Sequence, residues 1–163
     1  MTQRPPVDYI QCTRDQYDAL GYPTYNWVLN EQAPPFAALK KPVSESSLAL
    51  IGSGGIYRCG QIAFHFKDDF SYREIASDTP TSELRATHFA YDLTDARRDP
   101  NVVFPLETLR WGVEAGLLGS LGPRAYAFMG GIYSARKVRD VLAPALADRL
   151  QADEVDLALL VPV

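Results

Sequence analysis

Cysteine is scarce in this sequence of 163 residues: Cys12 and Cys59 are the only two, far apart and outside any Cys-x-x-Cys pair. That excludes a disulfide-stapled scaffold and suits a reducing cytoplasm, the expected location. Histidine is as rare, with His65 and His88 alone. No segment approaches the ~20 apolar residues that a membrane helix needs. Met1–Pro6 has no apolar stretch behind its charge to act as a secretion signal. Runs of Lys and Arg are missing: Lys40-Lys41 and Arg97-Arg98 are pairs, and the net charge is -4. Neither nucleic acid nor a membrane is therefore expected as a partner. A Walker A lysine pattern and a nucleophile-elbow sequence are also lacking.

What is present suits one globular domain. Hydrophobic residues make up 47% and charged residues 22%, and a chain of this length buries roughly 70% of its unfolded surface. Residues 1–47 read as an N-terminal arm, with prolines at Pro5-Pro6, Pro23, Pro34-Pro35 and Pro42. One short helix is predicted near Arg14–Leu20, ended by Gly21. Tyr9, Tyr17, Tyr22, Tyr25, Trp27 and Phe36 make the arm too aromatic for a free tail, so it is expected to pack on the domain formed by 48–163.

In that domain Leu48–Ile51, Ala125–Met129 and Val155–Val161 are short continuous apolar runs, the pattern of strands buried on both faces. Weaker strand candidates are Tyr72–Ile75 and Val102–Phe104. Helices are predicted between them. Thr79 reads as an N-cap with Pro80 at the first helical position. Pro105 opens a helix that Gly116 ends. Ser134 caps a third, with Val138, Val141, Leu142, Ala145, Leu146 and Leu150 on one stripe, and Pro144 is expected to kink or split it. Strand, helix and strand from Ala125 to Val161 form a βαβ unit with parallel strands. The fold class is α/β, a three-layer Rossmann-like, mostly parallel sheet with an aromatic, proline-rich arm.

One tetrapeptide occurs twice, Gly54-Gly55-Ile56-Tyr57 and Gly130-Gly131-Ile132-Tyr133. Each follows an apolar strand, so both belong at the carboxyl edge of the sheet, where open α/β folds bind ligands. Paired glycines can expose backbone N–H groups as an anion nest, or simply make a tight turn. The repeat leaves both readings open. It is no dinucleotide fingerprint, because Tyr57 stands where the third glycine belongs. His88 and Asp92 could share a helix face at i, i+4, a spacing that suits a metal pair or an oriented base. Two histidines among scattered carboxylates (Asp68, Asp69, Asp92, Asp95) favour hydrogen-bonded structural roles instead, and no metal site is assigned. Asp99-Pro100-Asn101 reads as a turn that could bring Asn101 to the site. Cys59 is either a redox thiol or a small packed residue.

From Ser47 to Val163 the sequence resembles the selenoprotein B family of glycine/sarcosine/betaine/D-proline reductases. The resemblance rests on Leu50–Tyr57 (LIGSGGIY), Ser77–Leu84 (SDTPTSEL), Asp99–Leu106 (DPNVVFPL), Tyr126–Gly131 (YAFMGG) and Ala158–Val163 (ALLVPV). The arm around Val7–Val28 is similar as well. The resemblance implies an oxidoreductase that cleaves a C–N bond of an amino acid or amine reductively, with dithiol and disulfide as the redox couple. It also implies that Pro-Val is followed directly by selenocysteine or cysteine, the redox nucleophile. No catalytic residue is then expected among these 163; it is expected immediately after Val163. A selenocysteine codon read as a stop explains such an end, and a short paralogue or an artificial cut are the alternatives. A pyruvoyl group on a partner reductase subunit is implied too, and nothing in this chain supplies one. The candidate substrate-binding residues are Ser53, Gly54, Gly55, His88, Asn101, Gly130 and Gly131. The alternative readings are a non-catalytic Rossmann-like module for a small anion, and a subunit whose aromatic arm packs on a partner; a homo-oligomer stays open.

Overall fold

Residues 8–163 are described in the computed structural model; Pro5, Pro6 and Val7, counted above in the arm, lie outside them. They fall into two compact units, the first ending at Phe36 and the second comprising Ala37–Val163. In the first, helix α1 (Tyr9–Ala19) starts at Asp8, whose carboxylate accepts the Gln11 N–H at 3.0 Å. It stops before Gly21, whose φ of +70° favours glycine. The helix begins earlier than the predicted Arg14 because Asp8 supplies the N-cap. Tyr17 packs edge-on against Tyr22 and Tyr25, and Tyr25 against Trp27, with ring centroids 4.7 to 5.9 Å apart.

The second unit is built on β1 (Ser47–Gly52), whose Ala49, Leu50 and Ile51 are all buried, as an interior strand requires. Leu48 pairs in parallel with both Leu121 and Leu157, and Gly52 with both Ala127 and Val161. Strand β7 (Leu157–Val161) therefore holds one edge of β1, while β5 (Ser120–Leu121) and β6 (Arg124–Phe128) follow one another along the other. Gly122-Pro123 interrupts the latter pair, since proline has no N–H for the ladder. Beyond β6 lies β3 (Tyr72–Ala76), antiparallel, from Tyr72↔Phe128 to Ala76↔Arg124. A separate two-stranded ribbon pairs β2 (Ile56–Arg58) with β4 (Leu84–Ala86). The result is a mixed α/β fold with a mostly parallel central sheet.

Successive side chains of a strand point to opposite faces, so each face of the sheet has its own core. Leu50, Ile75, Ala125 and Ala127 pack with Ile56, Leu84, Val103, Phe104 and Leu106, from the ribbon and from around α3 (Leu106–Glu114). Ala96 of α2 (Thr94–Arg98) joins them. On the other face Ile51 and Tyr126 pack with Leu142 and Leu146. These belong to the helix capped by Ser134, which accepts the Lys137 N–H at 3.3 Å. That helix is divided into α4 (Ala135–Lys137), a π turn (Val138–Leu142) and α5 (Ala143–Ala152). Pro144, in the first turn of α5, splits it as expected: a proline ring cannot coexist with a regular turn before it.

Three expectations are corrected. Val102–Phe104 is no strand: Asp99 Oδ1 accepts the Asn101 N–H at 3.0 Å and curls Pro100–Val102 into a 3-10 turn. Thr79 caps no helix; it is buried in a turn, and only a 3-10 turn (Thr81–Glu83) precedes β4. The strands of the βαβ unit are parallel as expected, with β1 between them. Val155–Val161 is not buried on both faces. It is a strand from Leu157 only, on the outside of the sheet, with Leu160 68% exposed.

An ionic cluster holds α5 to the sheet at the amino end of β6. The Asp153 side chain, 1% exposed, accepts hydrogen bonds from Arg124 and from Tyr126 Oη. Glu74 joins Arg124 and Arg149, each at 3.0 Å. Arg124 holds the Asp153 carboxyl below its ordinary value, and burial pushes the Tyr126 phenol up. Replacing Tyr126 by Phe removes a donor to a buried charge and should lower the unfolding free energy by about 1.5–3 kcal/mol in urea titrations. Because the folded pKa of Asp153 is depressed, its contribution is complete above the ordinary carboxylate value of about 4. It should be lost as pH falls through the lower folded value, and Asp153→Asn should flatten that acid limb.

Candidate functional site

The carboxyl ends of β1, β6 and β7 are joined at Ser53. Its N–H donates to Val161 O at 3.1 Å, its C=O accepts Gly130 N–H at 2.9 Å, and its Oγ accepts Val163 N–H at 2.9 Å. Gly55 N–H donates to Phe128 O at 3.1 Å, which makes Gly54 and Met129 an antiparallel bridge. The two Gly-Gly turns thus lie side by side, next to Val163. A cavity of about 240 Å³ opens between Ser53, Gly130 and Val163, with Ile51, Phe128 and Leu160 as apolar walls.

The repeated tetrapeptide is not a repeated structure. Gly55 has φ +68°, and a Cβ there would stand 2.0 Å from Thr87 O, whereas a Cβ on Gly131 would meet the Phe89 ring at 2.2 Å. The first copy runs on into β2; the second turns sharply, with Ile132 N–H on Gly130 O, and enters the Ser134 cap. Tyr57 lines a different cavity with Arg85 and Arg97, while Tyr133 is 70% exposed. The Gly55 and Gly130 amides already donate to backbone carbonyls, so an anion nest of all four glycines is not formed.

A third segment, Thr87–Tyr91, touches both turns. Thr87 N–H donates to Gly55 O at 3.0 Å, and Tyr91 Oη donates to Gly54 O at 2.8 Å. Phe89 covers Gly131 and stacks with Tyr133 at 18° between ring planes. His88 lies between, its ring 4.8 Å from that of Tyr91. Nδ1 of His88 accepts the Ala90 N–H at 3.0 Å, so the neutral ring carries its proton on Nε2, which is buried without a hydrogen-bond partner. Burial lowers the His88 pKa and keeps the ring neutral. Phe89 and Tyr91 were not singled out from sequence; the only signal was an aromatic run, His-Phe-Ala-Tyr, in an otherwise polar stretch.

The remaining candidates are dispersed. His88 and Asp92 share no helix face, since no helix includes His88, and Asp92 accepts the Thr94 N–H at 2.9 Å. His65 Nδ1 accepts the Lys67 N–H at 3.1 Å within its own loop, which Asp69 closes through the His65 N–H at 2.8 Å. Asp68 binds Lys137 at 2.9 Å and accepts the Ser134 N–H, tying that loop to the end of the second glycine turn. Those bonds hold its carboxyl below the ordinary range. The Asn101 amide is engaged with Asp99 and accepts the Glu107 N–H at 3.1 Å, a capping role at the start of α3. Cys12 and Cys59 are exposed free thiols. Among the described residues no helix is long and apolar enough to cross a membrane.

The sequence profile of the glycine/sarcosine/betaine reductase selenoprotein B family matches residues 22–162. The chain belongs to this family. It is 28% identical over 127 residues to the D-proline reductase subunit gamma of Acetoanaerobium sticklandii, covering 78% of this chain and 52% of that protein. It is 30% identical over 135 residues to the glycine reductase complex component B subunit gamma of Carboxydothermus hydrogenoformans, covering 80% of this chain and 31% of that one. The chain thus spans about half the length of the first relative and about a third of the second. No solved structure matches it significantly. Of the segments that carry the selenoprotein B likeness, Leu50–Tyr57, Tyr126–Gly131 and Ala158–Val163 are those that meet at Ser53.

Glycine substitutions test this geometry. Gly55→Ala combines a left-handed φ with a Cβ driven into Thr87 O, and should cost more than about 3 kcal/mol or prevent folding. Gly60→Ala, with φ +92° but nothing within 4 Å, should cost only about 1 kcal/mol. Thermal denaturation of the pair measures the difference.

Proposed function

We propose that this chain carries the substrate crevice of an amino-acid or amine reductase that cleaves a C–N bond, of the glycine, sarcosine, betaine or D-proline type. The observation that carries the reading is the hydrogen bond from Val163 N–H to Ser53 Oγ. Polypeptide continuing from Val163 emerges at the carboxyl ends of the parallel strands, beside both glycine turns, where a Rossmann-like fold receives its ligand. A selenolate or thiolate carried there would supply the nucleophile toward the carbon bearing the amine. Overall the C–N bond takes up two electrons and two protons, and a dithiol supplies both as it becomes a disulfide.

The chain's own residues bind and orient. Ser53 Oγ accepts from Val163, so its hydroxyl proton remains for a substrate carboxylate. His88 lies beside Gly55 and does not line the cavity, so its buried, unpartnered Nε2–H would reach a substrate only if the Thr87–Tyr91 segment shifted. Ile51, Phe128 and Leu160 give the cavity apolar walls. Activation of the amine by a pyruvoyl group on a partner subunit is part of the proposal, and the relatives' names, a reductase subunit and a complex component, support a partner.

The test compares the 163-residue chain with one extended through cysteine or selenocysteine after Val163. Iodoacetamide labelling near neutral pH should find a fast-reacting group in the extended chain only. Dithiol-dependent release of amine from glycine, sarcosine, betaine and D-proline, with the partner subunits present, should follow the same pattern. Ser53→Ala in the extended chain should raise KM about tenfold or more, the effect of losing one hydrogen bond to a charged group. Equal reactivity of the two chains, or a hyper-reactive Cys59, would move the chemistry to the first glycine loop and overturn the proposal.

A further inference from the structure

The two edges of the sheet are finished differently. At β3 the sequence is Tyr-Arg-Glu-Ile-Ala, with two charges. Its Glu74 C=O accepts Gln61 Nε2 at 2.8 Å, and Arg73 Nε reaches Ile62 O at 2.7 Å, so the segment around Gln61 and Ile62 covers that strand. Charges and a covering loop are how proteins keep an edge from pairing with another strand. At β7 the sequence is Leu-Ala-Leu-Leu-Val, followed by Pro162 and Val163, with no charge at all. This is the composition of an interior strand at an edge position, and Leu159, Leu160 and Val163 are exposed along it.

The ladder defines which groups are unpaired. Ser53 N–H donates to Val161 O, while Leu48 turns its C=O the other way, to Gly122 N–H at 2.9 Å. With Leu48 opposite Leu157 and Gly52 opposite Val161, Leu157, Leu159 and Val161 direct their N–H and C=O groups at β1. By strand alternation Ala158 and Leu160 direct theirs away from it. Among the described residues no strand pairs with them.

We infer that the free edge of β7 is the docking site for a further parallel strand, contributed by the polypeptide that the longer relatives carry outside the matched part. The length argues for this occupant: the match covers 52% of one relative and 31% of the other, so both hold ample chain for it. The three strands already bonded to β1 are parallel to it, and an uncharged apolar strand is what a parallel sheet buries in its interior. The inference rests on family membership and not on the reaction proposed above.

Hydrogen exchange tests it residue by residue. In the 163-residue chain the amides of Ala158 and Leu160 should exchange freely while those of Leu159 and Val161 are protected. Joining to this chain the segment of the D-proline reductase subunit gamma that lies outside the match should slow Ala158 and Leu160 about tenfold or more. Ala158→Pro removes an outward N–H only, so it should leave the melting temperature of the 163-residue chain within a few degrees. In the joined protein the same substitution should restore fast exchange at Leu160. Unchanged exchange on joining, or protection that survives Ala158→Pro, overturns the inference. So does slowing in the 163-residue chain that grows with its concentration alongside a dimer in sedimentation, which would make a second copy the occupant.

Discussion

Ser53 uses its amide, its carbonyl and its hydroxyl to bind three different partners, Val161, Gly130 and Val163. Backbone groups at strand ends must find partners or water, and here the ends of three strands satisfy one another. The close approach requires residues without side chains: a Cβ on Gly52 would stand 2.7 Å from the Phe104 ring, and one on Gly130 3.1 Å from the Ser53 Cβ. The glycines of the family-like segments are therefore first of all a condition for bringing the strand ends together. The small cavity beside them exists because that contact holds.

The opposite end of β6 is held by other means. Arg124, Tyr126 and Asp153 form a largely buried polar group that joins the start of β6 to the end of α5, and Glu74 extends it to β3. Each buried member would be costly alone and is tolerable because its neighbours satisfy it. One end of the sheet is thus secured by ion pairs between side chains, which acid weakens, and the other by backbone hydrogen bonds and glycine contacts, which pH does not touch. The carboxyl end relies on neutral groups, the Ser53 hydroxyl and backbone amides, to hold the strand ends together.

Family membership and geometry bear on function in different ways. The family ties the chain to amino-acid reductases, and the fold explains how its widely separated motifs come to one place. A nest of all four glycine amides is not formed, because those of Gly55 and Gly130 are already engaged. The metal alternative loses its pair, because His88 and Asp92 share no helix face.

Much of the fold was legible in the chain itself. Leu48–Ile51 and Ala125–Met129 read as buried strands because both faces are apolar, Ser134 and Pro144 marked a helix start and its division, and the glycine pairs marked strand ends. These are local signals, carried by residues near one another in sequence. What the tertiary structure alone decided depended on distant partners. Val155–Val161 has an interior composition but an edge position, since burial requires a second neighbour that this unit does not place there. Val102–Phe104 looked like a strand until Asp99 and Asn101 curled the turn before it. The two identical tetrapeptides took different shapes because Thr87 and Phe89 press on different glycines. Sequence determined which residues could form strands, turns and caps; long-range packing decided which faced the crevice, because a side chain's neighbours across the sheet are not its neighbours in the chain.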